Sequence, residues 1–408
     1  HGDCVRLLLA AHAAVDQPDS GGDTPLHTAC VDGHGDCVQL LLAAHAAIDQ
    51  PDSDGDTPLS IACSHDHGDC VRLLLTANAA VDQPNSDGDT PLHFTCFNGY
   101  SECVQLLLAA HAAIDQPNSY GVAPLYVACI QGHAECVRLL LATHAALNQL
   151  ASNGSTPLCI ACCNDHGDCV RLLLAAQAAI DQPDSDGCTP LFTACNNDHG
   201  DCVRLLLAAN AAIDQPASSG ATPLYTACSH DHGDCVRLLL AANAAVDQPE
   251  SIKVAPLHIA CNHGHGECVR LLLGAHAAID QPASNGSTPL YIACSNDHGD
   301  CVRLLLAAHA AVDQPNSGGD TPLHTACVDG HGDCVQLLLA AHAAIAQPDS
   351  DGDTPLYIAC LQGHGECVRL LLAAHAAIDQ PNSNNSKPLY IACCNGHGDC
   401  VRLLLAAN

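Results

Sequence analysis

The chain has 408 residues and a formal charge of -32, from 12 Lys and Arg against 44 Asp and Glu. That excess of acid argues against nucleic acid and anionic membrane as partners, since both are polyanions, and makes a basic or neutral protein surface the easier match. Aromatics are 2% of the residues, and Trp and Met are absent, so a core has to be assembled from many small Ala, Leu, Val and Cys contacts.

The elements recur from the first residues onward. Residues 1–18 read as the second half of a repeat: GDCVRLLLA has the apolar spacing of a helix, with Asp3 three residues before Arg6 on its polar side. The unit Asp19 to Pro51 is the first complete one. Thr24 is a suitable N-cap and Pro25 suits the first helical position, where its missing N–H costs nothing, so a short helix is expected from Pro25 to about Val31, ended by Gly33. A second helix starts near His34 or Gly35 and carries Cys37, Val38, Leu40, Leu41 and Leu42, a stripe wide enough to need burial against its partner helix and both neighbouring units, with Asp36 and Gln39 left outside. It ends at His45, in the left-handed position that Gly, Asn or His fills at a C-terminus. Among the equivalents of His45, Gln177 is the poor fit. The following stretch to Asp56 is a polar, turn-rich hairpin or extended loop.

Thr-Pro-Leu or a near variant begins at residue 24 and at every thirty-third residue up to Lys387, without insertion or deletion. A period of this length means stacked units, none able to bury its apolar face alone. Residues 1–59 and 298–356 differ only at Asp19 against Asn316 and Asp49 against Ala346, as expected of growth by block copying.

Gly-x-Thr-Pro-Leu-His-x-Ala, then Gly-His, then Val-x-x-Leu-Leu, the capped turn and the acidic linker together resemble the ankyrin repeat family over the whole chain. The departures are local. Cysteine stands at the usual second alanine (Cys30 and its equivalents), Lys253 and Asn385 at the loop glycine, Tyr100 at the histidine of Gly-His, and Leu150 at the linker proline. The resemblance implies an all-α ankyrin-repeat solenoid of stacked helix-turn-helix units joined by hairpin-like loops. It is expected to form a single array over 1–408, with the second half of a truncated repeat at 1–18, eleven full repeats over 19–381, and a last repeat over 382–408 truncated after its second helix.

The string C-x3-H-x2-C at Cys30, His34 and Cys37 looks like a metal site, but it would have to recur in every repeat, and both cysteines fall where the apolar stripe needs a small buried residue. Structural packing is the expected role, with no metal and no cofactor. Acids over 52–56 lack the order of an EF-hand. Of the 29 cysteines, Cys159, Cys163, Cys188 and Cys394 stand outside the two repeated positions. Cys159 and Cys163 are expected on the exposed side of one helix, with Cys188 on the next linker; a redox pair or soft-metal clip is conceivable there, and drift at tolerant surface positions is the favoured reading. Cysteines in apolar helical contexts suit a reducing compartment, so an intracellular place, cytoplasmic or nuclear, is expected. No recognisable spacing pairs Ser, His and Asp for catalysis, and an enzyme is not expected.

Recognition is expected instead on the concave face that, in ankyrin-like arrays, is lined by loop tips and first helices. Residues 94–130 hold Phe94, Phe97, Tyr100, Tyr120 and Tyr126, beside Val122 and Ile130. Phe97, Tyr120, Val122, Tyr126 and Ile130 form the first candidate partner-binding patch, because interface hot spots favour aromatics; Phe94 is expected in the core. Ile252, Lys253 and Val254 form the second. The partner is expected to be a protein, with no nucleic acid and no membrane. Apolar runs such as LLLAAHAAI fall far short of the roughly 20 residues a spanning helix needs. No signal or transit peptide pattern follows His1. The alternative to a binding scaffold is a spacer or elastic segment of a larger protein, an idea suggested by end repeats that lack the polar substitutions of caps.

Overall fold

The structure, a computed structural model, describes residues 1–250 and 253–407. Within each repeat, local chemistry produces two helices. Thr24 is extended (φ -79, ψ 165), Pro25 opens the helix Pro25–Val31, and the Thr24 amide donates to His27 Nδ1 at 3.1 Å, so the third helical residue caps the end from inside. Gly33, at φ +68, turns the chain, and a Cβ there would sit 2.5 Å from the His67 ring of the next repeat. The second helix, Gly35–Ala43, closes with a Schellman-type pair: His45 N–H donates to Leu42 O and Ala46 N–H to Leu41 O, both at 3.0 Å. His45 takes φ 62, as expected, and Gln177 is held in the same left-handed conformation at φ 67. Lys253 and Asn385, in place of the loop glycine, both adopt φ 60.

The described residues form 25 helices and no strand. Twelve are short first helices beginning at a proline, and thirteen are nine-residue second helices beginning with Gly2–Ala10. The chain divides into two compact units, His1–Ala212 and Ile213–Asn408. In each, a first helix packs on its own second helix and on the first helices of adjacent repeats, giving the stacked solenoid arrangement. The core repeats with it: Leu59, Ala62, Cys63, Cys70, Val71 and Leu74 are fully buried, as are their counterparts through the interior. Each leucine so buried contributes about 2 kcal/mol of hydrophobic stabilisation.

Polar bonds tie one repeat to the next at fixed offsets. The histidine of Gly-His reaches back to a carbonyl of the preceding first helix, with His67 Nε2 2.9 Å from Val31 O, His133 Nε2 3.0 Å from Phe97 O and His364 Nε2 3.0 Å from Val328 O. Tyr100 replaces this group in its repeat. A second series runs through the linkers, where the carboxylate of Asp16 accepts the Ala47 amide at 2.8 Å, Asp49 that of Ala80, and Asp82 that of Ala113. Asn148 serves Ala179 equally well at 2.8 Å. Ala346 has no side-chain acceptor to offer Ala377. The linker acids at this position are cross-links between repeats.

Candidate functional site

The hairpin loops present the surface. Where the first residue is Asp or Asn it folds an Asx turn: Asp52 Oδ1 accepts the amides of Asp54 and Asp56 at 2.9 and 2.8 Å, and Gly55 takes φ +85 under the next loop, where a Cβ would meet Ser86 N at 2.8 Å. Neighbouring loops are stitched by one backbone bond, Ser86 N–H to Asp54 O at 3.0 Å and Ser119 N–H to Asp87 O at 3.0 Å. Charges are segregated by this architecture. Every arginine, from Arg6 to Arg402, lies in a second helix. Most pair with the acid three residues earlier, as in Arg6 with Asp3 at 3.1 Å and Arg138 with Glu135 at 2.5 Å, all exposed. The loops and first helices carry only Lys253 and Lys387, and Lys387 lies 3.4 Å from Asp379.

One loop carries an aromatic residue at its tip. Where other tips hold Asp54 or Asp87, this one holds Tyr120, and where Asp56 or Asp89 leads into Thr-Pro, Val122 leads into Ala123. Asn118 builds the turn, its Oδ1 accepting the amides of Tyr120 and Val122 at 3.0 Å each, and its amide donating to Asp89 Oδ1 at 2.8 Å. Tyr120 is 63% exposed, and Phe97, near the end of the helix Pro91–Asn98, is 55% exposed. Between them lies a cleft of about 500 Å³. Phe94, Val122 and Ile130 are half-buried in its wall, and Val127 and His93 are buried beneath. His93 Nδ1 accepts the Thr90 amide at 3.1 Å, so its Nε2 carries the proton and donates to Val122 O at 3.0 Å. Burial holds its pKa below the usual value and keeps the ring neutral. Asp89, Asn98, Asn118 and Gln131 form the polar rim.

The cleft therefore gathers Phe97, Tyr120, Val122 and Ile130 from the first candidate patch. It does not gather Tyr126, which is 5% exposed. Tyr126 occupies the third position of its first helix, the place of His27 and His93, and that position faces the loop of the next repeat, so it cannot be a direct partner contact. The same reason corrects Cys159: it stands at the equivalent position, is 3% exposed, and its Sγ lies 3.5 Å from Thr193 Oγ1. Cys163 and Cys188 are half-buried. Phe94 is another correction, since it lines the cleft and does not enter the core. Of the second patch, Lys253 is exposed and Val254 half-buried; Ile252 lies outside the described residues. Sequence reasoning missed Asp89, Asn118 and Val127. Their signal was the 29-residue offset joining a first helix or its lead-in to the next loop, as in Asp89 with Asn118 and His93 with Val122.

Among the described residues no group of three or more His, Cys, Asp or Glu side chains is arranged to hold a metal. Cys30 and Cys37 pack in the core. Burial, helped by neighbouring acids, pushes the Cys103 thiol up to about 12 and Cys188 up to about 11, so both are protonated and poor nucleophiles near neutral pH. Nor is any helix among those residues long and apolar enough to cross a membrane.

The family model described as ankyrin repeats (3 copies) matches residues 1–85, 76–150, 143–217, 209–283, 257–349 and 332–408. The chain belongs to the ankyrin repeat family. Ankyrin repeats are in general protein–protein interaction modules and typically lack enzymatic activity. Among solved structures, the ankyrin repeat chain is similar to the crystal structure of the human ASB11 ankyrin repeat domain, at 30% identity and a TM-score of 0.48, over 54% of this chain and 99% of that one. A search of the curated proteins returned no match.

Proposed function

We propose that this ankyrin array is a non-enzymatic scaffold that binds a protein partner on the face formed by loop tips and first helices, with Phe97, Tyr120, Val122 and Ile130 at the centre of recognition. The observation that carries this reading is the pair of exposed aromatic rings over a cleft of about 500 Å³. Exposed aromatics beside a recess are how hot spots are built, since the rings bury large area at small entropic cost. Lys253 and Val254, with Ile252 beside them in sequence, are a secondary contact at the corresponding loop position of a later repeat. The cysteines, mostly buried in apolar helical contexts, support a reducing, intracellular setting in the cytoplasm or nucleus.

The test is a pull-down from lysate with the wild-type chain and a Phe97→Asp, Tyr120→Asp, Val122→Asp triple variant, each first shown to have the same helicity. Specific partners should disappear with the variant. An unchanged set of partners would refute the patch and favour a spacer role.

A further inference from the structure

Resting on that reading, we infer that the cleft between Phe97 and Tyr120 receives an arginine side chain from a basic segment of the partner protein. Three observations converge. The two most exposed rings of the patch flank the recess, at 55% and 63% exposure. Asp89 lines the same recess; its Oδ1 is engaged by the Asn118 amide at 2.8 Å, while among the described residues nothing hydrogen-bonds its Oδ2. No cation of the array competes for it, because between Asp19 and Glu250 every arginine lies in a second helix and no lysine occurs. The neighbouring loops add the exposed carboxylates of Asp54 and Asp87.

This combination selects among side chains. A purely apolar group would fill the recess but leave the Asp89 carboxylate facing it uncompensated. An acidic group would be repelled by Asp89 and by the neighbouring Asp54 and Asp87. Guanidinium satisfies both parts: its flat face stacks on an aromatic ring while its edge donates in-plane to a carboxylate, and it sheds water more readily than an ammonium. The aliphatic stem of arginine then covers Val122 and Ile130. Docking on an acidic face also favours a segment with further positive charge around that arginine, because the loops steer it in.

Random dodecapeptides displayed on phage, selected on the full chain, test the inference. The expected peptides share one arginine. Changing it to Gln, or using a Phe97→Ala, Tyr120→Ala chain, should weaken binding about tenfold or more. Asp89→Asn, which keeps an oxygen for the Asn118 amide, should weaken binding and flatten its salt dependence. Circular dichroism checks that each variant keeps its helicity. Peptides that need both rings but carry no arginine would overturn the guanidinium while leaving the cleft as the binding site. Equal binding with lysine in its place would overturn the stacking argument, and so would arginine-rich peptides indifferent to the loss of the rings. If no selected peptide responds to the double variant, both the inference and the proposed function fall.

Discussion

Single residues here are set by backbone conformation and by what the next repeat places above them. Twelve of the left-handed positions just past second helices are occupied by His, Asn or Gln among the described residues, from His12 to His375. Their requirement is local, so it could be read from sequence alone. Tyr126 and Cys159 could not be read that way, because the loop that covers each of them lies about thirty residues further on. Asp56 shows the same dependence in its electrostatics. It is half-buried, one carboxylate oxygen has no partner, and its pKa is pushed up to about 6, first by burial and then by the Asp52 charge. A carboxyl whose folded pKa lies above its unfolded value near 4 imposes no cost below pH 4, and a growing cost as pH rises towards 6. Asp56→Asn should therefore raise the thermal midpoint at pH 7.5 and leave it nearly unchanged at pH 4. A gain of equal size at both values would contradict the charge argument. Partial exposure screens the carboxylate, so the gain should be smaller than the full pKa displacement implies.

At the scale of elements, the helices were legible because a Pro start, a Gly or His stop and an apolar stripe all lie within one unit. The links between units were not, since the bonds join residues from 29 to 36 apart in sequence. The acceptor series from Asp16 to Asp313 makes this concrete: ten linker amides are held at 2.8 or 2.9 Å, nine by Asp and one by Asn148, and Ala346 breaks the run. The block copy had shown Ala346 as one of two differences, but only the structure shows that the difference removes an acceptor. Ala346→Asp should restore it and stabilise the junction by about 1 kcal/mol, the net value of a hydrogen bond at a partly exposed site. Hydrogen exchange is the direct measurement: the Ala377 amide should slow in the variant, and unchanged exchange would show that the bond is not formed. The cleft was half legible for the same reason. Its exposed rings stood out against a sequence nearly free of aromatics, whereas Asp89 and Asn118 meet across a repeat boundary.

For the molecule as a whole, the dominant fact is charge. Ten arginines, confined to second helices, are outnumbered by acids that occupy the loops as well. The resulting self-repulsion is long-ranged and opposes the compact state. Raising NaCl from about 10 to about 150 mM shortens the screening length from roughly 30 to 8 Å. The thermal midpoint should therefore rise by several degrees over that range; a midpoint that falls would mean that the arginine–acid pairs outweigh the repulsion. The fold class was legible at this scale because a strict 33-residue step admits few architectures, and the stacked pairs of each unit follow it.

The ties between repeats carry one more implication. A histidine that spans 36 residues and a carboxylate that spans 31 are in register only while the spacing of the units stays constant. Excising or inserting one whole period returns the donors to the corresponding positions of a neighbouring repeat, whereas a net change of one or two residues misaligns them at the affected joint. Such a chain can lengthen or shorten only in quanta of a single size, which makes unequal recombination a mild event for it and a frameshift-sized slip a severe one.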